Sequence, residues 1–314
     1  MSAAGDEAVS AAGDDFDVVT GAFSYSGAAI ARELQAAGRR VRTLTGHPDR
    51  APAGTAIEVR RLRFTNQARL AESLRGARTL FNTYWVRFAH GQVSHEQAVA
   101  QSRVLFQAAA EAGVRRVVHV SITHPDADSP YPYFRGKAAV EQALVDLGLS
   151  HAVLRPSILF GGNGVLINNI AWLLRRMPVF AVGGTGEYRV RPIHVDDLAR
   201  LAVRAADSGQ TEVIDAVGPD RPAFIELVRF IRDAVGSRSQ VVRVPGSLIP
   251  PAARLLGLAL RDTLLTAEEY QAMADGLADT EGPATGETSL MQWITEHKGT
   301  LGRTYANELT RHFR

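Results

Sequence analysis

Short apolar runs alternate with longer stretches of helical period from about residue 16 onward. Runs at 16–20, 41–45, 57–61, 78–83, 115–121 and 151–154 read as strands. Amphipathic stretches at 26–37, 67–74, 94–112 and 133–147 read as helices between them. Gly38 and Gly113 stand where a left-handed residue closes a helix. Strands separated by helices at this spacing predict βαβ units and a doubly wound parallel sheet. After residue 156 the alternation loosens. A loop is predicted at 161–164, a helix at 166–175 and a Gly-rich turn region at 178–188. Helices at 195–206 and 223–235 and strands at 212–216 and 241–244 come next, and from 247 onward only helices are predicted, broken at Gly282-Pro283 and near Gly299.

This pattern divides the chain. Residues 1–14 are Ala, Gly, Ser and acids and are expected to be a disordered tail. Residues 15–160 form the expected Rossmann-type nucleotide-binding core. Residues 161–314 form a smaller, mostly helical substrate-binding region, with 190–245 returning to the core sheet. The formal net charge of +2 and the lack of a long basic run give no reason to expect nucleic acid. The absence of cysteine removes disulfide and thiolate chemistry and fits a cytoplasmic setting. No apolar run approaches the roughly 18 residues of a membrane span. No histidine pair or acidic cluster has metal-ligand spacing, so no metal is expected. A small-molecule substrate is the expected partner, and self-association stays open.

The strongest motif lies between the first strand and the first helix. Gly21 follows the strand and Gly27 lies just inside the helix. Such a turn, with Phe23, Ser24 and Tyr25 in it, aims backbone N–H groups and the positive helix end at a pyrophosphate. Ser24 stands midway, where a glycine usually permits close approach, so a shifted dinucleotide or a hydroxyl contact is expected. The second strand ends without an acid that would bind a ribose 2′-hydroxyl. His47 and Arg50 there could receive a 2′-phosphate, which favours NADP(H) over NAD(H).

Tyr133 and Lys137 fall four apart on one predicted helix face. A nearby ammonium lowers a phenol pKa, which suits Tyr133 as the general acid or base for hydride transfer. Lys137 could also hold the nicotinamide ribose. Ser121 ends the preceding strand and could hydrogen-bond a substrate carbonyl, with Thr123 as the alternative. Tyr84, Trp85 and Arg87 follow the fourth strand, on the ligand side of an open α/β sheet. They form either a substrate wall or a buried plug under the C-terminal helices. Asn168 and Trp172 belong to a helix expected to overhang the site.

The turn at 20–27, the segment 112–121, the Tyr133–Lys137 pair with Glu141, and the segments 154–161 and 191–199 occur together and in order. On these the chain resembles the atypical and extended short-chain dehydrogenase/reductase superfamily. It is most similar to the NmrA-like NAD(P)-binding proteins and to the 39-kDa-type accessory subunits of respiratory complex I. The resemblance covers about two-thirds of the chain. It implies NAD(P) in the turn, with Asn82, Thr83 and Pro156 near the cofactor and Tyr133 and Lys137 as acid and ribose ligand. It places His194 and Asp197 at a structural junction, with Asp197 bracing a helix start. The expected activity is an NAD(P)-dependent oxidoreductase acting on a small carbonyl or alcohol. The alternatives are a non-catalytic NAD(P)H-binding regulatory or assembly module, or an epimerase or dehydratase using bound cofactor.

Overall fold

The computed structural model describes residues 15–313 apart from 90 and 92. The tail expected at 1–14 lies outside the described residues. The chain first runs β1 (Phe16–Thr20), α1 (Tyr25–Ala36), β2 (Val41–Thr45), β3 (Glu58–Arg61), α2 (Gln67–Leu74) and β4 (Ala77–Asn82). It continues through α3 (His95–Glu111), β5 (Arg116–Val120), α4 (Pro132–Asp146) and β6 (His151–Pro156). The later part holds β7 (Leu159–Phe160), α5 (Val165–Arg176), β8 (Val179–Gly183), β9 (Ile193–His194), α6 (Val195–Ser208) and β10 (Glu212–Ala216). It ends with α7 (Phe224–Ala234), β11 (Gln240–Val244), α8 (Ile249–Leu260), α9 (Ala267–Ala274), α10 (Leu290–His297) and α11 (Glu308–Phe313).

Seven strands form one sheet in the order β10-β6-β5-β4-β1-β2-β3. All of its pairings are parallel. Strands covered on both faces must be apolar throughout, and β1 and β5 are buried at every residue. One face packs Val19, Phe81, Val118 and Leu154 against Ile30 and Leu34 of α1 and Leu198 and Ala202 of α6. The other packs Val18, Leu80 and Val117 against Leu70, Leu105, Phe106 and Leu144 from α2, α3 and α4. The winding reverses between β1 and β4, so the crevice at their carboxyl ends is where a ligand is expected.

The C-terminal part has its own core, in which Ile167, Ile170 and Leu174 of α5 meet Ile225, Val228 and Ile231 of α7 and Leu290 and Ile294 of α10. Its sheet structure departs from the sequence expectation. The Gly-rich region at 178–188 contains β8, which pairs in parallel with β11 as a separate two-stranded sheet. Only β10 joins the main sheet, beside β6, so the strand at 240–244 does not return to it. Val179 and Ala181 point outward on β8, which removes the continuous apolar burial that would have marked it as a strand.

The span from 275 to 289, where helices with a break at Gly282-Pro283 were expected, is an irregular strap throughout between α9 and α10. It crosses the carboxyl ends of β5, β6 and β10 and is held mainly through its backbone. Thr123 donates to Leu277 O at 2.7 Å, and Arg191 donates to Thr280 O at 2.8 Å and to Gly282 O. Asp197, 3% exposed, accepts the backbone N–H groups of Glu287 and Thr288 at 3.0 and 2.8 Å and pairs with Arg200. Burial pushes the Asp197 carboxyl up, but the N–H donors and Arg200 outweigh it and hold it below the usual carboxylate range. Asp197 thus braces the strap, while His194 caps α6 by accepting from Asp196 N at 3.2 Å.

Asp197→Ala strands two backbone donors. We expect it to cost about 3 kcal/mol in denaturant unfolding and to open residues 276–288 to limited proteolysis. Unchanged stability and an intact strap would show that Asp197 does not hold it.

Candidate functional site

The turn at the end of β1 is built by close approach. Gly21 sits at φ +66°, in the left-handed region that glycine adopts without strain. A Cβ on Gly27 would overlap the Gly21 carbonyl oxygen and lie 2.8 Å from its carbon, so only glycine lets α1 pass this close to the strand end. Thr43 on β2 accepts Ala22 N–H at 3.0 Å and donates to Val19 O at 3.0 Å, fixing the turn from below. The Ser24 hydroxyl folds back and donates to Gly21 O at 2.6 Å. The serine therefore closes the turn internally rather than projecting its hydroxyl at a ligand. Tyr25 donates to Gly161 O at 2.7 Å and ties the start of α1 to the loop before α5.

A cavity of about 2430 Å³ opens above this turn. Gly21, Phe23, Ser24 and Tyr25 line one end, with Thr45, Gly46, His47 and Arg50 from the end of β2. No carboxylate lines that β2 end. The N-terminus of α1 faces the cavity with no acid in its first turn, which suits a phosphate. These residues fit a dinucleotide.

The crevice between β1 and β4 is cross-braced. Thr83 N–H donates to Thr20 Oγ1 at 2.8 Å, and Thr83 Oγ1 donates to Thr20 O at 2.6 Å. Asn82 is fully buried, bonded to Thr20 and to His119 Nδ1 at 3.1 Å. Thr83 reaches the cavity wall, whereas Asn82 positions it from behind.

The Tyr133–Lys137 pair is arranged differently from the sequence expectation. Lys137 is 2% exposed, donates to Val120 O at 3.0 Å and lies 4.6 Å from the centroid of the Trp85 ring. Trp85 stacks on His95 at 5.9 Å and meets Tyr133 edge-on at 5.8 Å. A Cβ on Gly136 would sit 2.8 Å from the Trp85 ring, so this glycine admits the indole against α4. Tyr133 lines the cavity; Lys137, Ser121 and Pro156 lie beneath its wall. The Ser121 hydroxyl is buried without a hydrogen-bond partner. The phenol is not lowered by the lysine. Burial pushes it up, Glu269 adds to that, and Arg87 opposes it weakly. Burial also pulls the Lys137 amine down to about 7, against the upward pull of Glu141.

The other expected substrate residues divide. Tyr84, Trp85 and Thr123 line the cavity. Burial pushes the Tyr84 phenol up to about 12, and its hydroxyl bonds Gln101. Arg87 also lines the cavity, but its guanidinium pairs with Glu269 at 2.6 Å and Glu308 at 3.4 Å. It is engaged as a strut between the segment after β4 and the C-terminal helices, not as a carboxylate receptor. Asn168 and Trp172 face away from the cavity: Asn168 donates to Thr304 O at 2.9 Å and Trp172 packs on Tyr305. On the same helix, Asn169 and Leu173 do line it. His95, Glu269 and Glu308 were not expected. Glu269 and Glu308 meet the site across long sequence separations that no local pattern signals, while His95, at the start of α3, stacks on Trp85 ten residues before it.

A seven-stranded parallel sheet with a close glycine approach between its first strand and first helix, at the switch point, is the architecture of Rossmann-type nucleotide-binding α/β proteins. Sequence comparison agrees, since residues 18–216 match the NAD dependent epimerase/dehydratase family. The chain belongs to that family. It is 23% identical over 209 residues to the mitochondrial NADH-ubiquinone oxidoreductase 40 kDa subunit of Neurospora crassa, covering 66% of this chain. The chain spans about half, 55%, of that relative's length. Among solved structures it resembles the Citrobacter sp. triphenylmethane reductase complexed with NADP(H), with a TM-score of 0.74 at 18% identity, covering 90% of this chain and 99% of that one. It also resembles the NADPH-dependent quinone oxidoreductase QOR2 of Escherichia coli, with a TM-score of 0.73 at 21% identity and coverage of 90% and 99%.

Between about pH 7 and the ordinary lysine value of 10.5, the unfolded chain keeps a proton that native Lys137 has lost. Stability from this group therefore rises with pH across that window, by on the order of 2 kcal/mol from about pH 7 to about pH 9. Lys137→Met should remove that gain in thermal melts; an identical gain in the variant would refute the buried neutral amine.

Proposed function

We propose that the chain is an NAD(P)H-dependent reductase of a bulky, apolar, conjugated carbonyl acceptor of the quinone kind. The observation that carries this reading is the cavity itself. It runs from the glycine turn, the end left to the dinucleotide, to an apolar wall of Trp85, Leu173, Phe180, Leu256 and Met273, which suits a bulky apolar acceptor better than the small carbonyl or alcohol expected from sequence. Tyr133 brings a hydroxyl to the cavity beside the Trp85 ring. The names of the two solved neighbours, a triphenylmethane reductase and a quinone oxidoreductase, support an aromatic acceptor.

A bound reduced nicotinamide would supply a hydride. The α1 turn holds the pyrophosphate, Thr83 borders the crevice, and Trp85 and Tyr84 bound the acceptor. The burial that raises the Tyr133 pKa keeps the phenol protonated through neutral pH. Burial makes it a weaker acid than a free phenol, so its proton would pass to the acceptor oxygen as negative charge develops there, and would be replaced from solvent. NADP(H) is favoured over NAD(H), because His47 and Arg50 rather than a carboxylate border the β2 end.

A second reading, a dinucleotide-binding module without turnover, is favoured by one observation. Lys137 and Ser121 lie beneath the cavity wall, so the expected catalytic set is not assembled on the surface. The two readings separate on nicotinamide absorbance with a panel of quinones. Hydride transfer to any of them removes the module, and binding without transfer removes the reductase.

Tyr133→Phe is expected to lower kcat about 100-fold while NADPH affinity stays within about twofold. Undiminished turnover would remove Tyr133 as the proton donor. In calorimetry NADPH should bind more tightly than NADH, and Arg50→Ala should erase about tenfold of that preference. Equal affinity for both dinucleotides in the wild type would overturn the NADP(H) preference.

A further inference from the structure

Helix α8 presents a face that the rest of the fold does not cover. Leu248, Pro251, Leu255 and Leu258 recur at helical spacing, and the three leucines are 54%, 71% and 70% exposed. Met177 and Val179, 39% and 47% exposed, extend this apolar surface along β8, which packs beside α8. Scattered exposed leucines need no explanation, but a contiguous stripe on one helix marks an interaction surface.

The charge around the stripe is one-sided. Between Asp233 and Asp262 the chain carries no carboxylate, and with Arg243 paired to Glu187 at 2.8 Å the arginines left there are Arg238, Arg254 and Arg261. Arg254 and Arg261 are exposed and follow Pro251 and Leu258 at the same three-residue step. Arg175 and Arg176, just before Met177, are engaged by backbone carbonyls, and Arg176 also by the Trp172 ring, so the flanking charge rests on Arg254 and Arg261. Asp262 is turned inward, where it accepts from Tyr305 at 2.5 Å and from Leu309 N at 3.0 Å. Apolar side chains flanked by arginines, on a helix too short to span, are the features of a segment that lies in the headgroup region of an anionic membrane. Twelve residues make about 18 Å of helix against roughly 30 Å of hydrocarbon. No helix among the described residues is long and apolar enough to cross a membrane.

We propose that the outer face of α8 docks this protein on an anionic lipid bilayer surface. A second copy of the chain fits the patch less well. A two-fold contact through the stripe would bring Arg254 and Arg261 against their own copies. The docking does not depend on the reductase reading. Where that reading holds as well, Leu255, Met177 and Val179 of the apolar face also border the cavity with Ala252, Leu256 and Ala259, so the docked face places the cavity mouth beside the lipid.

The test is co-sedimentation of the full chain, without nucleotide or acceptor, with vesicles of phosphatidylcholine alone or mixed with phosphatidylglycerol. The wild type should pellet with the mixed vesicles and be released by salt. The double variants Leu255→Ser/Leu258→Ser and Arg254→Gln/Arg261→Gln should each bind roughly tenfold more weakly, with unchanged thermal melts because all four residues are exposed. A wild type that stays in the supernatant with both vesicle types would overturn the proposal. So would a leucine variant that pellets like the wild type. A concentration-dependent dimer abolished in the leucine variant, with no vesicle binding, would assign the stripe to a second copy instead.

Discussion

Everything at the nucleotide end of the molecule depends on how closely α1 passes the end of β1. No Cβ fits between Gly27 and the Gly21 carbonyl, so the helix start is brought to the switch point by the absence of a side chain. Thr43 and Ser24 then spend their hydroxyls on the turn's own backbone. The platform is rigid because its polar groups are satisfied within it, which leaves the helix terminus as the feature that faces the cavity.

The main sheet was legible because its signals are local. Buried parallel strands must be apolar at every position, helices between them must be amphipathic, and the glycine turn must sit between the first of each. The C-terminal part was less legible for the opposite reason. β8 shows two residues to solvent and so lacks the run of a buried strand. The 275–289 strap is gripped by its main chain, through Thr123, Arg191 and Asp197, so its own side chains carry little of the information that places it.

At the site, residue spacing told which side chains share a helix face but not what stands between them. Tyr133 and Lys137 do lie one turn apart, yet Trp85 and His95 occupy the space over the lysine, and burial rather than charge governs both titrations. Arg87 shows the same limit. Its position beyond β4 suggested a ligand receptor, but its partners Glu269 and Glu308 come from more than 180 residues later. Desolvation and long-range pairing belong to the assembled fold and leave no periodic trace.

The main sheet closes with β10 at Ala216, and the family match ends at the same residue. The C-terminal lobe beyond it is fastened to the sheet by pins on its rim: the Arg87 strut, the Asp197 brace and the backbone bonds of the strap. A lobe attached in this way can be remodelled in lineage after lineage without disturbing how the sheet folds. Trp85, Leu173 and Phe180 of the cavity wall lie within the family match, whereas Leu256 and Met273 come from the lobe beyond it, so remodelling that lobe would change the far wall of the cavity without changing the sheet.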